Sequence, residues 1–366
     1  MFTCSISKRW IILFIIFYFF LVSFLIYFTP LSYSEANILY SNDITIESII
    51  AKFIYKLTNN IIYIRFIFFL ASIISLYIFS KIIKKYFITW DKYYNLSLFV
   101  YIFVPGIFLS FILINYATFP ILLTLLLIYA YEKDIKILII TSLVLLLFTH
   151  SAQFVIYIAL IITSFKDKRI WVLVLSLVLL IISSFISSYS IGGVPRGHLL
   201  QLFGIYSAIF SPLLFLFIIY TVYKMAIQKD RDLLMNIIIS SFLLSIILSI
   251  RQQIKITDFS VFLVIAIPLS ILIFKNGIEV RLKEFRRTYY LVCNIILVNI
   301  LIETIAITIH YPLYKYFSKK VWLIDYNIYK IQENAKKLEK NSKECKKVIS
   351  KREENLYKYY GILKCK

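Results

Sequence analysis

The chain has 366 residues, 61% of them hydrophobic and 18% aromatic, with a mean hydropathy of +0.85 and a formal net charge of +21. So much apolar surface cannot be enclosed in one water-soluble core, which excludes a soluble globular domain. Seven Gly and seven Pro in this length, with no alternation of polar and apolar residues, exclude a membrane barrel and predict long helices. The expected fold class is all-α: a polytopic membrane protein with about eleven transmembrane helices and a small C-terminal extramembrane tail.

The first apolar run, Trp10 to Phe28, follows Lys8-Arg9. It is long for a signal-peptide core and no small-residue cleavage site follows, so it reads as a retained span. Further spans are predicted at Ile61 to Ser80, Leu96 to Asn115, Phe119 to Tyr131, Ile137 to Phe148, Phe154 to Phe165, Ile170 to Ser188, Leu202 to Tyr223, Leu233 to Ile250, Phe259 to Phe274 and Tyr289 to Ile309. These define a transmembrane domain over residues 1–309.

Lys and Arg stay on the cytoplasmic side in short loops, so their distribution orients the spans. With the N-terminus inside, the inner segments before the tail hold 19 basic residues and the outer ones six. Reading Ile137 to Phe165 as one helix would move Lys166, Lys168 and Arg169 outside, so a hairpin turning at Thr149-His150-Ser151 is preferred. The expected location is the inner, cytoplasmic membrane, multi-pass.

Residues 310–366 form a basic tail with 15 Lys and Arg against six acids. An odd number of spans places it outside the cytoplasm, where Cys345 and Cys365 are candidates for a disulfide and two free thiols are the alternative. Apolar or small residues from Val321 through Ile331 to Ile349 recur at heptad spacing. The pattern is weak at Ala335, Ser342 and Cys345, which favours a single helix lying on the membrane or packed on the protein over a coiled-coil dimer. Its lysines suit anionic lipid headgroups.

There is no Gly-rich phosphate loop and no metal-spaced Cys or His cluster, so nucleotide and structural-metal chemistry are not expected, nor is nucleic acid a partner. Membrane lipids are the expected surroundings. Chemistry must come from polar residues that the topology collects on the outer face. Glu35 follows the first span by a few residues, where a carboxylate at the headgroup layer is able to take a proton from an attacking hydroxyl. Asp43 precedes an amphipathic stretch, Ile46 to Leu57, that reads as an interfacial helix; Asp43 or Thr45 has a second role as its N-cap. Arg65 opens the second span and must either snorkel to phosphates or pair with a buried acid. Arg196 and His198 lie in the one Gly-rich segment, Ile191 to His198, and Arg251 and Lys255 flank the ninth span. All four, with Arg65, Tyr116 and His150, are candidates for holding a donor phosphate or sugar. The bland alternatives are interfacial anchors, a flexible connector and a hydrogen-bonded turn.

The order of these features resembles the glycosyltransferase-C superfamily, in particular the bacterial branch that includes protein mannosyltransferases and lipid A aminoarabinose transferases. The residues that carry the resemblance are Ser34-Glu35-Ala36 in the first outer loop, the Ile46 to Leu57 stripe, and Tyr63-Ile64-Arg65-Phe66 leading to Lys81 and Lys84-Lys85. Asn115-Tyr116-Ala117 and Leu147-Phe148-Thr149-His150-Ser151 follow at two later turns. It covers about the first 165 residues. The family's acidic pair has Ser34 in place of its Asp, and no carboxylate stands at the Tyr116 turn. The resemblance implies transfer of a monosaccharide from a polyprenyl-phosphate-linked donor to a lipid, glycan or protein acceptor at the outer face. No motif requires a cofactor, and a divalent metal stays open. An O-antigen-type polymerase or ligase, and a non-catalytic transporter or scaffold of surface-glycan assembly, are the alternatives.

Overall fold

The computed structural model describes residues 8–41, 44–89, 91–149, 152–186, 198–252, 255–310, 328–329, 331–333, 345–346 and 353–364. They are all-helical apart from a two-residue parallel bridge, Cys345–Lys346 with Leu363–Lys364. They fall into two compact units. The first comprises residues 1–70, 109–115 and 305–366; the second comprises 71–108 and 116–304.

The first unit contains α1 (Lys8–Phe28), α2 (Tyr33–Tyr40), α3 (Ile46–Thr58) and the start of α4 (Ile61–Ile83). Rings from three segments fix α1 against its neighbours: Tyr18 meets Phe111 edge-on at 5.9 Å and Phe19 meets Phe69 at 5.8 Å. Helix α2 starts at Ser32, whose hydroxyl accepts from the Glu35 amide while the Glu35 carboxylate accepts from the Ser32 amide, a reciprocal capping box. Helix α3 is capped by Thr45 in the same way with Ser48. Asn59, in the left-handed region at φ 51°, turns the chain from α3 into α4.

Three residues of the apolar stripe of α3, Ile49, Phe53 and Leu57, are exposed, whereas Ile54 is buried with Glu47, Ser48 and Ala51. Exposed apolar side chains of this kind are stabilised by an apolar surrounding, which agrees with a helix lying in a membrane interface.

The tail also belongs to this unit. Helix α17 (Glu354–Tyr359) packs on α2, with Leu356, Tyr357 and Ile362 buried against Leu31, Tyr33 and Ala36. Ile331, one of the heptad positions, is buried in the same cluster. At the edge, the Asn355 amide donates to Asn37 Oδ1 at 2.9 Å and Tyr359 approaches Tyr55 at 6.4 Å. The described part of the tail is therefore a cover on the first loop; most of the heptad stretch, Val321 to Ile349, lies outside the described residues.

The second unit is a helical bundle: α5 (Lys92–Phe103), α6 (Pro105–Ile112), α7 (Thr118–Lys133), α8 (Lys136–Leu146), α9 (Phe154–Lys166), α10 (Ile170–Ile186), α11 (Leu199–Phe210), α12 (Pro212–Ile227), α13 (Leu233–Arg251), α14 (Ile256–Leu263), α15 (Ala266–Val280) and α16 (Lys283–Thr308). Its centre is α13, where Ser240, Ser241, Ser245 and Ser249 are buried and let helices approach closely. Polar groups there find partners: the Asn236 amide donates to Thr163 Oγ1 at 2.8 Å and Ser241 Oγ to the Phe259 carbonyl at 2.9 Å. Gly106 allows a similar approach, since a Cβ there would lie 2.6 Å from Ile209 Cγ2.

Every segment predicted to span is helical, but length limits how many cross. Three helices, α4, α13 and α16, are long and apolar enough to cross alone, and up to seven spans result if each bent pair counts as one. Among the described residues, eleven spans are not shown. The eighth predicted span, Leu202 to Tyr223, is broken: α11 and α12 meet at 110° where Ser211 takes φ 71° and Pro212 starts the next helix. Proline cannot donate to the preceding turn, so the hydrogen-bond ladder cannot run through. Val104-Pro105 breaks the third span likewise, by 63°.

The charge pattern, in contrast, has a structural counterpart. Lys85 Nζ lies 2.9 Å from Glu132 and 2.8 Å from Asp232, Lys166 lies 3.1 Å from Asp230, and Arg169 lies 3.2 Å from Asp134. Lys275 sits over the rings of Phe87 and Tyr93. Five segments assigned to one side by their lysines and arginines thus meet on one face of this unit. Exposed pairs of this kind each stabilise by only about 0–1 kcal/mol, so their value is as markers of sidedness. Compartment reporters fused after Lys133, Lys168 and Lys229 should give one and the same signal; a split among the three would contradict this face.

Candidate functional site

The described residues of the first unit converge on a buried ion pair, Glu35 with Arg65. The Arg65 side chain is 2% exposed and that of Glu35 is fully buried. Arg65 Nε donates to Glu35 Oε1 and Nη2 to Oε2, both at 2.8 Å, giving the bidentate fork that only a planar guanidinium provides. The remaining N–H groups go to carbonyls at the end of α1: Nη1 to Ile26 (2.8 Å) and Thr29 (2.7 Å), and Nη2 to Pro30 (3.0 Å). Glu35 Oε1 also accepts the Ile114 amide at 3.1 Å, and Oε2 the Ser32 amide at 2.8 Å.

A guanidinium has five N–H donors and a carboxylate about four acceptor positions, and here each is filled. Two consequences follow. The pair offsets its own desolvation through a complete shell of hydrogen bonds, the condition under which a buried ion pair persists. It also joins four separate segments: the C-terminal turn of α1, the cap of α2, the first turns of α4 and the strand of chain after α6. The carbonyl end of α1 carries partial negative charge, so the cation is stabilised by the helix as well as by Glu35.

This arrangement changes the role of Glu35. A general base needs a lone pair directed at the proton it takes, and in this geometry each of its lone pairs is engaged. Glu35 organises the loop. Arg65, for which the sequence offered snorkelling or a buried acid, takes the buried acid, and that acid is Glu35.

Thr45, and not Asp43, caps α3. Asp43, His150 and Arg196 lie outside the described residues. Tyr116, half-buried in the turn before α7, His198 at the start of α11, Arg251 exposed at the end of α13 and Lys255 exposed before α14 all belong to the second unit. Of the two disulfide candidates, Cys345 has its backbone paired with Leu363 and Cys365 lies outside the described residues. Among the described residues no group of three His, Cys, Asp or Glu is placed to hold a metal ion. A cavity of 280 Å³ opens in the second unit between α5, α12, α15 and α16, and none of the sequence candidates lines it.

Sequence reasoning missed the pairing of Glu35 with Arg65, although one signal for it was present. Ser32-Tyr33-Ser34-Glu35 is a capping-box spacing, which predicts a helix start and not an open loop. No protein-family model, curated protein or solved structure matches this chain.

Replacing Arg65 by Lys keeps the charge but leaves a single nitrogen with three donors in place of a five-donor fork. At least two of the bonds above are lost, each worth about 1.5–3 kcal/mol when a charge is involved. Arg65→Lys should therefore lower the stability of the protein in mild detergent by about 3 kcal/mol, read as an earlier thermal or denaturant transition. An unchanged transition would mean that the pair does not hold the loop.

Proposed function

We propose that the chain is an integral-membrane glycosyltransferase that moves a monosaccharide from a polyprenyl-phosphate donor to a lipid, glycan or protein acceptor. The reaction would occur at the outer face of the cytoplasmic membrane, with the N-terminus inside and the tail outside. The observation that carries this reading is the setting of the first loop. An acid-bearing turn, held by hydrogen bonds, packs beside α3, whose Ile49, Phe53 and Leu57 are exposed, and this supports a loop set at a membrane interface, where the head of a lipid-linked sugar is presented. The order of acid, interfacial helix and Arg-headed span is the order that the family resemblance rests on.

Within this reading, Glu35 and Arg65 position the loop and Asp43 takes the proton. In sequence Asp43 stands two residues before Thr45, which caps α3 with Ser48. The acceptor hydroxyl gives its proton to Asp43 as it attacks the anomeric carbon, the bond from that carbon to the phosphate oxygen breaks, and the polyprenyl phosphate leaves with the electron pair. Cationic side chains would steady the leaving phosphate.

A second reading, a non-catalytic scaffold of surface-glycan assembly, is favoured by one specific observation: the acid that best matches the family position is fully engaged in structure. The two separate in a transfer assay with purified protein and a panel of polyprenyl-phosphate sugars. The transferase reading predicts turnover by the wild type and a loss of about 10²- to 10⁴-fold in Asp43→Asn with its thermal transition unchanged. Turnover unaffected by Asp43→Asn would move the base elsewhere, and no transfer by the wild type from any donor would favour the scaffold.

A further inference from the structure

The cavity of the second unit has the character of a lipid site. Its walls are apolar: Leu96 and Val100 of α5, Leu214 and Phe217 of α12, and Ile271 and Leu297 among those from α15 and α16. Three hydroxyls line it, those of Ser270, Tyr220 and Tyr289, and the Ser270 hydroxyl is already satisfied, donating to the Ala266 carbonyl at 2.9 Å and accepting from Thr221 at 3.0 Å. Nothing in the deep part therefore favours water or a polar ligand. From Tyr289 to Leu297 the cavity follows two turns of α16, about 12 Å at the helical rise, so it is long as well as apolar.

The mouth is the opposite in character. Arg281 lines it, with its guanidinium 3.9 Å from the centre of the Tyr289 ring and one N–H donated to the Gly277 carbonyl at 2.7 Å. Gly277 lies close against this pair, since a Cβ there would be 3.0 Å from both Arg281 Nη1 and Tyr289 Oη. Its other N–H groups have no protein partner among the described residues. Arg286 is folded back on the same turn, its Nε donating to the Arg281 carbonyl at 2.8 Å. Lys224 lies over Tyr220, which also lines the cavity, and Lys92 lies over Tyr290. The acids nearby are Glu279, 4.0 Å from Lys275, and Glu284. Cations exceed acids around the opening, at the end of the bundle that carries the basic face.

We propose that this groove holds one chain of an anionic glycerophospholipid, with the lipid phosphate on Arg281. An apolar slot under a cationic, aromatic rim complements a molecule that is a hydrocarbon chain below and a phosphate above, and a guanidinium fixed by ring stacking is a preorganised phosphate ligand. A neutral zwitterionic lipid would gain the slot but less from the rim. The site is separate from the first loop and stands whether or not the protein is a transferase.

The test is native mass spectrometry of the full-length protein released from micelles, with phosphatidylglycerol or phosphatidylcholine of the same chain lengths added in turn. One phosphatidylglycerol should be retained in preference to phosphatidylcholine. Arg281→Gln should weaken that retention about tenfold, the loss expected for one charge-assisted phosphate contact. Cys293→Trp, which fills the slot from α16, should abolish retention without removing the rim. Lys136→Gln takes a charge from an exposed residue that does not line the cavity and should leave retention as in the wild type. Equal retention of both lipids, an unaffected Arg281→Gln protein, or a Lys136→Gln effect as large as that of Arg281→Gln would overturn the proposal.

Discussion

Everything in the first unit depends on keeping one guanidinium and one carboxylate out of water with no donor or acceptor left over. A charged side chain away from water costs several kcal/mol unless it is paired and fully hydrogen-bonded. Arg65 and Glu35 meet that condition only if the end of α1, the cap of α2, α4 and the Ile114 amide are all in place. The pair is therefore a specification of geometry: it tolerates one mutual placement of these four segments. The tail helix then packs over the same loop through Leu356 and Tyr357, closing water out from the α2 side.

The second unit relies on a different constraint. Its helices are held by apolar packing and by small residues along α13, with polar groups matched pair by pair. The charges at its basic face join connections to one another. Function in such a protein falls naturally to the places where each pattern is interrupted. In the first unit that is α3, with Ile49, Phe53 and Leu57 exposed beside a hydrogen-bonded acidic loop; in the second it is the slot lined by Arg281 and by α16 from Tyr289 to Leu297.

Much of this was legible in the sequence. Composition fixed the all-helical class, the 3.6-residue period of Ile46 to Leu57 predicted an amphipathic helix there, and the distribution of Lys and Arg grouped five connections that meet on one face. What was not legible has physical reasons. Hydropathy averages over a window and cannot see a 110° bend at Ser211-Pro212, so the eighth span was overestimated. A lone acid in a polar loop has the same sequence signature whether it faces solvent or a buried arginine thirty residues away, and Glu35 was read as the former. Only the Ser-x-x-Glu spacing distinguished the two. The slot under Arg281 has no sequence signature, because its lining comes from four helices.

The central claim is that Glu35 and Arg65 act as one structural unit. A double-mutant cycle of Glu35→Gln, Arg65→Gln and the combination, read as unfolding free energy in one detergent, tests it most directly. Each single replacement leaves a buried partner uncompensated and should cost about 3–5 kcal/mol, and the double replacement should cost no more than either single one. Additive losses, with the double variant destabilised by the sum of the two, would contradict the account.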